Sequence, residues 1–150
     1  MPGHLIRRLN QISVALFATR MTEAGLDLTP VQYAALMAIN THPRIDQASV
    51  AGLIAYDRAT LGKVIDRLEA RGLVMRSTSQ KDRRAKALDL TQAGRDLLIE
   101  AAPHVAALQP EILAGLDSDE QALFVRLLDK VTMAGNARSR APLKPIDAAE

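Results

Sequence analysis

Residues 57–86 read DRATLGKVIDRLEARGLVMRSTSQKDRRAK, a short amphipathic helix running into a basic hairpin. Leu61, Val64, Ile65 and Leu68 fall at i, i+3, i+4 and i+7 and form one apolar helix face. Asp57 is placed to cap its start. Gly72 stops it where left-handed dihedrals are needed, and Leu73 can fold back onto the last turn. Residues 73–78 and 84–90 then have the length of two strands, with Leu88 and Leu90 alternating with Ala87 and Asp89 around a polar tip at 79–83. Nine basic residues stand against Asp57, Asp66, Glu69 and Asp82, a net of +5. The other 120 residues hold the remaining ten basic and thirteen acidic groups, a net of −3. An overall charge of +2 thus hides a concentrated positive field, suited to attracting phosphate and releasing counterions.

Upstream, Leu5, Leu9, Ile12 and Leu16, widened by Ile6 and Phe17, predict a helix over residues 4–24 that stops at Gly25. Thr29, Pro30 and Gln32 form a capping-box signature for a second helix, to about His42 and closed by Pro43. Asp46 can cap a third, through about Ile54. Downstream, Thr91 caps a fifth helix that Pro103 should kink and Pro110 should break or restart. Asp117 to Glu120 opens a sixth, to about residue 136, and residues 137–150 read as a loose, flexible tail.

At 150 residues and 48% apolar content the chain fits one domain with a real core, and 3% aromatics leave Leu, Ile, Val, Ala and Met to fill it. The expected fold class is mainly α: a winged helix-turn-helix lobe at about 30–90 with a two-stranded wing, between long helices at about 4–24 and 91–136. No cysteine occurs, which removes disulfides, thiolate metal sites and thiol redox sensing. His4, His42 and His104 are scattered, and no metal or cofactor is implied. There is no Gly-rich phosphate loop, His-x-x-x-His pair or nucleophile elbow, so an enzyme is not expected. No apolar run approaches the roughly 18–20 residues needed to span a bilayer, and the N-terminus lacks a secretory segment. A cytoplasmic location is the simplest expectation.

Two short helices followed by a basic hairpin form the winged variant of helix-turn-helix, whose later helix enters the major groove. Lys63, Arg67 and Arg71, at i, i+4 and i+8, lie roughly opposite Leu61 and Leu68. Arg58, Thr60 and Lys63, with Ala59, are placed to read base edges, and Arg67 and Arg71 to hold phosphate. On the wing, Lys81, Arg83 and Arg84 add charge. One of the two arginines suits a narrow A·T-rich minor groove, and Asp82 can pin the other through a bidentate pair. A series of this kind also occurs as a plain solvated face, and it is the hairpin that turns the balance toward DNA.

The runs RATLGKVIDRLEARGLVMR and KDRRAKALDLTQAG resemble the signature of the MarR family of bacterial winged-helix regulators. Arg83, Arg84, Leu88, Leu90, Thr91 and Gly94 fall where the family pattern puts them, and TPVQYAALMAI resembles its second helix. The resemblance covers residues 4 to about 136. It implies a homodimer interlocked through the first and last two helices, a pseudo-palindromic double-stranded operator, and no membrane partner. The stripes at 5–17, 97–116 and 123–131 exceed what one small winged lobe could cover, in keeping with a partner surface. Gly62 departs from the family by lacking the side chain many relatives carry there. It costs about 1 kcal/mol against Ala unless close approach to DNA needs the space.

Members of the family commonly bind a small, often aromatic acid between the dimer helices and the DNA-binding lobe. The segment PGHLIRRLNQISVALF is similar to relatives controlling breakdown of aromatic or heteroaromatic carboxylates or their thioesters. On that resemblance His4, Arg7 and Arg8 are candidate cations for an effector, and Gln11, one turn on, can hydrogen-bond a ring substituent. Tyr33, Met37 and Tyr56 are candidate apolar walls. Each has a plainer alternative: Met37 as core, the tyrosines as packing, the arginines as solvated charge. The leading expectation is a homodimeric repressor released by such an acid. An effector-independent architectural DNA-binding protein is the alternative.

Overall fold

The computed structural model describes residues 1–78 and 83–146. Among these residues six α-helices and three short strands follow in the order α1 (Pro2–Glu23), α2 (Pro30–Thr41), β1 (Ile45–Asp46), α3 (Gln47–Leu53), α4 (Arg58–Ala70), β2 (Val74–Thr78), β3 (Lys86–Leu90), α5 (Gln92–Ile112) and α6 (Ser118–Ala134), with a 3-10 turn at Asn136–Arg138. This is the mainly helical winged architecture expected. The chain divides into two compact units, Met1–Pro30 with Ile99–Met133, and Val31–Leu98 with Ala134–Glu150.

Helix boundaries follow local chemistry. The Asp46 carboxylate accepts from the Ser49 N–H at 2.8 Å and caps α3, while Asp57 accepts from Ala59 and Thr60 and caps α4. Before α6, Asp117 accepts from the N–H groups of Asp119 and Glu120, and Glu120 reaches back to the Asp117 N–H, a reciprocal capping box. α4 ends with Gly72 at φ 70°, the Gly72 N–H donating to the Glu69 carbonyl and the Leu73 N–H to that of Leu68. α3 ends by the same bond pattern, but the left-handed position is taken by Ala55 at φ 53°, whose Cβ opposes that conformation.

The hairpin is present, and a third strand that the sequence does not announce extends it. β3 lies in the middle, with Ile45 facing Leu88 and Asp46 facing Ala87 on one side and β2 on the other from Val74–Leu90 to Thr78–Lys86. Ala87 is therefore buried together with Leu88 and Leu90, so β3 is not the one-sided strand its alternation suggests. Leu36, Ile39, Val50, Leu61, Ile65 and Leu68 complete this unit's core.

α5 also departs from expectation. It contains Pro103 and continues past Pro110, where a break or restart is expected, to end at Ile112. Each proline forfeits one intrahelical bond, but both lie on exposed positions, where water can serve the freed carbonyls. In the first unit Phe17, Met21, Leu28, Ala101 and Leu108 are buried, and Arg20 pairs with Glu111. α6 buries none of its residues, and Leu123, Leu127, Leu128 and Val131 stay exposed, as do Leu5, Ile6 and Ile12 of α1.

Candidate nucleic-acid interface

α4 is divided lengthwise. Leu61, Ile65 and Leu68 are fully buried and Val64 nearly so, whereas Arg58, Thr60, Lys63, Arg67 and Arg71 are all exposed. At 3.6 residues per turn, Thr60, Lys63 and Arg67 share one solvent stripe, and Arg58 occupies the first helical position after its Asp57 cap. Arg71 is the residue capping the C-terminal end. Arg83 and Arg84 are exposed in the turn leading into β3, while Lys81 and Asp82 lie outside the described residues.

The helix also carries Asp66 and Glu69, which would repel a phosphate backbone. Arg76 of β2 answers both. Its guanidinium donates to Asp66 Oδ1 at 2.7 Å and Glu69 Oε2 at 2.6 Å, and reaches Gln47 of α3 at 3.4 Å. Burial alone would lower the Arg76 pKa, but the hydrogen bonds and charges of Asp66 and Glu69 outweigh it and the net shift is upward. Arg76 thus ties the wing to α4 and screens the helix's acids. Sequence reading passed over this residue. Its signal is an acidic i, i+3 pair on a helix with an arginine on the following strand, a pattern too loose to stand alone.

The base of the wing is stitched to α5. The Thr91 N–H donates to the Leu73 carbonyl at 3.1 Å, and its hydroxyl donates to the Gly72 carbonyl at 2.6 Å and accepts from the Gly94 N–H at 3.1 Å. A Cβ on Gly94 would lie 2.2 Å from the Leu73 carbonyl oxygen, so only glycine fits. By contrast a Cβ on Gly62 would meet only the end of the Gln47 side chain, at 3.3 Å.

The candidate effector residues divide between the two units. His4, Arg7, Arg8 and Gln11 are exposed on the first three turns of α1, in the first unit. In the second, Tyr33 and Met37 stand one turn apart on α2 and Tyr56 follows α3. Tyr33 and Tyr56 are half-buried, Met37 is exposed rather than core, and burial pushes the Tyr33 phenol's pKa up. Among the described residues no cluster of His, Cys, Asp or Glu could hold a metal ion, and no helix is long and apolar enough to cross a membrane.

Comparison with known proteins agrees with this geometry. A family model described as "MarR family" matches residues 28–86. The transcriptional regulator HosA of Escherichia coli O157:H7 is 34% identical over 128 residues, 85% of this chain and 92% of that protein. The structure of BpsR from Bordetella bronchiseptica, described as regulated in its DNA binding by 6-hydroxynicotinic acid, superposes with a TM-score of 0.80 at 34% identity, covering 87% of this chain and 97% of that one. An E. coli MarR variant complexed with operator DNA gives 0.79 at 28% identity, over 86% and 91% of the two chains. These relatives are regulators of transcription, not enzymes.

Proposed function

The chain belongs to the MarR family of transcriptional regulators, and on that footing we propose that it is a homodimeric, sequence-specific repressor released by a small aromatic or heteroaromatic carboxylate or its thioester. The observation that carries the DNA-binding part is the split of α4, whose apolar face is buried while Thr60, Lys63 and Arg67 share an exposed stripe. In this reading Arg58, Thr60 and Lys63 read base edges in the major groove, and Arg67 and Arg71 hold phosphate. Lys81, Arg83 and Arg84 work from the wing, with Asp82 organising it.

Homodimerisation is supported by α1 and α6, which leave the large apolar residues Leu5, Ile6, Ile12, Leu127, Leu128 and Val131 exposed for a partner surface to cover. A two-fold dimer would read a pseudo-palindrome with half-sites about one helical turn apart. Residues 1–136 would then form the regulatory domain, working in the cytoplasm where operator DNA lies.

For the effector, the regulation of BpsR DNA binding by 6-hydroxynicotinic acid supports the chemical class. His4, Arg7 and Arg8 are the candidate carboxylate contacts, Gln11 a ring-substituent contact, and Tyr33, Met37 and Tyr56 the apolar ones. Release requires only that the acid bind the DNA-incompetent state more tightly.

The decisive experiment selects duplexes from a random pool with the wild-type protein and measures their affinity against unselected DNA. Strong preference, lost in Lys63→Ala and Arg84→Ala, is the expected result. Equal affinity for both pools would instead favour an architectural role. A thermal-shift panel of benzoates, nicotinates and hydroxycinnamates tests the effector, because a ligand that binds the folded dimer raises its melting point.

A further inference from the structure

The segment after α6 has the composition of a loose tail, yet it makes defined contacts with the helix-turn-helix unit. Asn136 clamps it from both sides: its side-chain amide donates to the Leu143 carbonyl at 2.9 Å, and its side-chain oxygen accepts from the Leu143 N–H at 2.8 Å. Ala141 is buried, and the Ala141 N–H donates to Ser139 Oγ. Pro142 lies directly on α3, its carbonyl oxygen 2.9 Å from where a Cβ on Gly52 would sit. Lys144 then emerges beside the start of α4 and shares with Arg58 and Ser49 a polar cleft of about 240 Å³. Asp46 also lines the cleft, but its two carboxylate oxygens are engaged by the Ser49 N–H and hydroxyl.

Within residues 136–146 stand Arg138, Arg140 and Lys144 and no acid. All three are exposed. A cation that a docked segment holds beside the first residue of a groove-reading helix is placed where the DNA backbone borders the groove. At about 240 Å³ the cleft falls below the roughly 300–1,000 Å³ of small-molecule pockets, and its two cations, Arg58 and Lys144, suit a phosphate.

We infer that residues 136–146 are a third DNA-facing element of the lobe, in which Lys144, beside the base-reading Arg58, holds a backbone phosphate flanking each half-site. The inference rests on the DNA-binding reading of α4 and adds to it a contact from outside the helix and the wing.

The test follows the salt dependence of affinity by fluorescence anisotropy, on a duplex selected from a random pool by the full-length wild-type protein. Each phosphate contact contributes about 0.9 to the slope of log affinity against log salt, so a dimer losing two should show a slope shallower by about 1.8. Between about 50 and 200 mM salt the wild type would then lose about twelvefold more affinity than Lys144→Ala. Lys144→Arg should keep the wild-type slope. Gly52→Ala, which leaves Lys144 in place but drives a Cβ into the Pro142 carbonyl, should undock the segment and reproduce the shallower slope. If the wild type selects no duplex, the DNA-binding reading falls and this inference with it. If it selects one and Lys144→Ala keeps the full slope, the inference alone is overturned. A shallower slope for Lys144→Ala but not for Gly52→Ala overturns the docking on α3.

Discussion

Replacing Gly94 by Ala should destabilise the protein although it adds a better helix former to α5. The new Cβ would stand 2.2 Å from the Leu73 carbonyl oxygen and 3.1 Å from its carbon, where ordinary contact begins near 3.4 Å. More than an ångström must be found, and the obstructing atoms are backbone. They cannot swing aside, because the same Leu73 oxygen accepts from the Thr91 N–H and the Thr91 hydroxyl holds the Gly72 carbonyl. Overpacking of this kind costs about 1–3 kcal/mol, and this site belongs at the upper end. Loss of the Thr91–Leu73 hydrogen bond adds about 1 kcal/mol. The helix-propensity gain returns at most about 1 kcal/mol. The net loss is about 2–3 kcal/mol, a large share of the roughly 5–15 kcal/mol that stabilises a typical domain. Urea denaturation followed by circular dichroism at fixed protein concentration measures it, with an expected fall in midpoint of about 1–1.5 M for a slope near 2 kcal/mol/M. A midpoint equal to or above that of the wild type would refute the steric argument and leave helix propensity in control.

Gly62→Ala should do the reverse, raising stability by about 0.5–1 kcal/mol, because its Cβ meets only a movable side-chain end. If affinity for a selected duplex falls in the same variant, the missing side chain serves DNA approach; unchanged affinity would show that it does not. Ala55→Gly should relieve the left-handed strain at φ 53° and stabilise by about 0.5–1 kcal/mol, read from the same urea curves. Arg76→Met should cost about 1–2 kcal/mol, since both of its acidic partners are substantially exposed and each pair is worth little more than about 1 kcal/mol. The loss should shrink at high salt, and adding Asp66→Asn and Glu69→Gln should restore part of the DNA affinity lost with the arginine.

The helices of this chain were legible wherever local chemistry sets their ends. Asp46, Asp57, Asp117 with Glu120, and Gly72 each announce a boundary that the structure keeps. The division of α4 was legible because one helix displays both periodicities. What the sequence could not convey is tertiary in origin. β1 is two residues long and exists because Leu88 and Ala87 offer it an edge. Pro110 is a strong local breaker, overridden where an exposed position lets water take the freed carbonyl. Arg76 is one basic residue among many until its two acids are seen beside it. The stretch after α6 has the composition of a linker, and tertiary contacts such as the Asn136 clamp, buried Ala141 and the smooth face at Gly52 distinguish it from one.

The hydrogen bonds joining residues 72 and 73 to Thr91, and the tight approach of Gly94, close the hairpin at its root independently of its far end. Lengthening a loop whose ends are already fastened costs little, about 0.6 kcal/mol for each doubling. The span of the prong is therefore a quantity that insertions or deletions can tune while the framework beneath stays put. Such a design lets the reach of the hairpin be altered by editing a handful of codons.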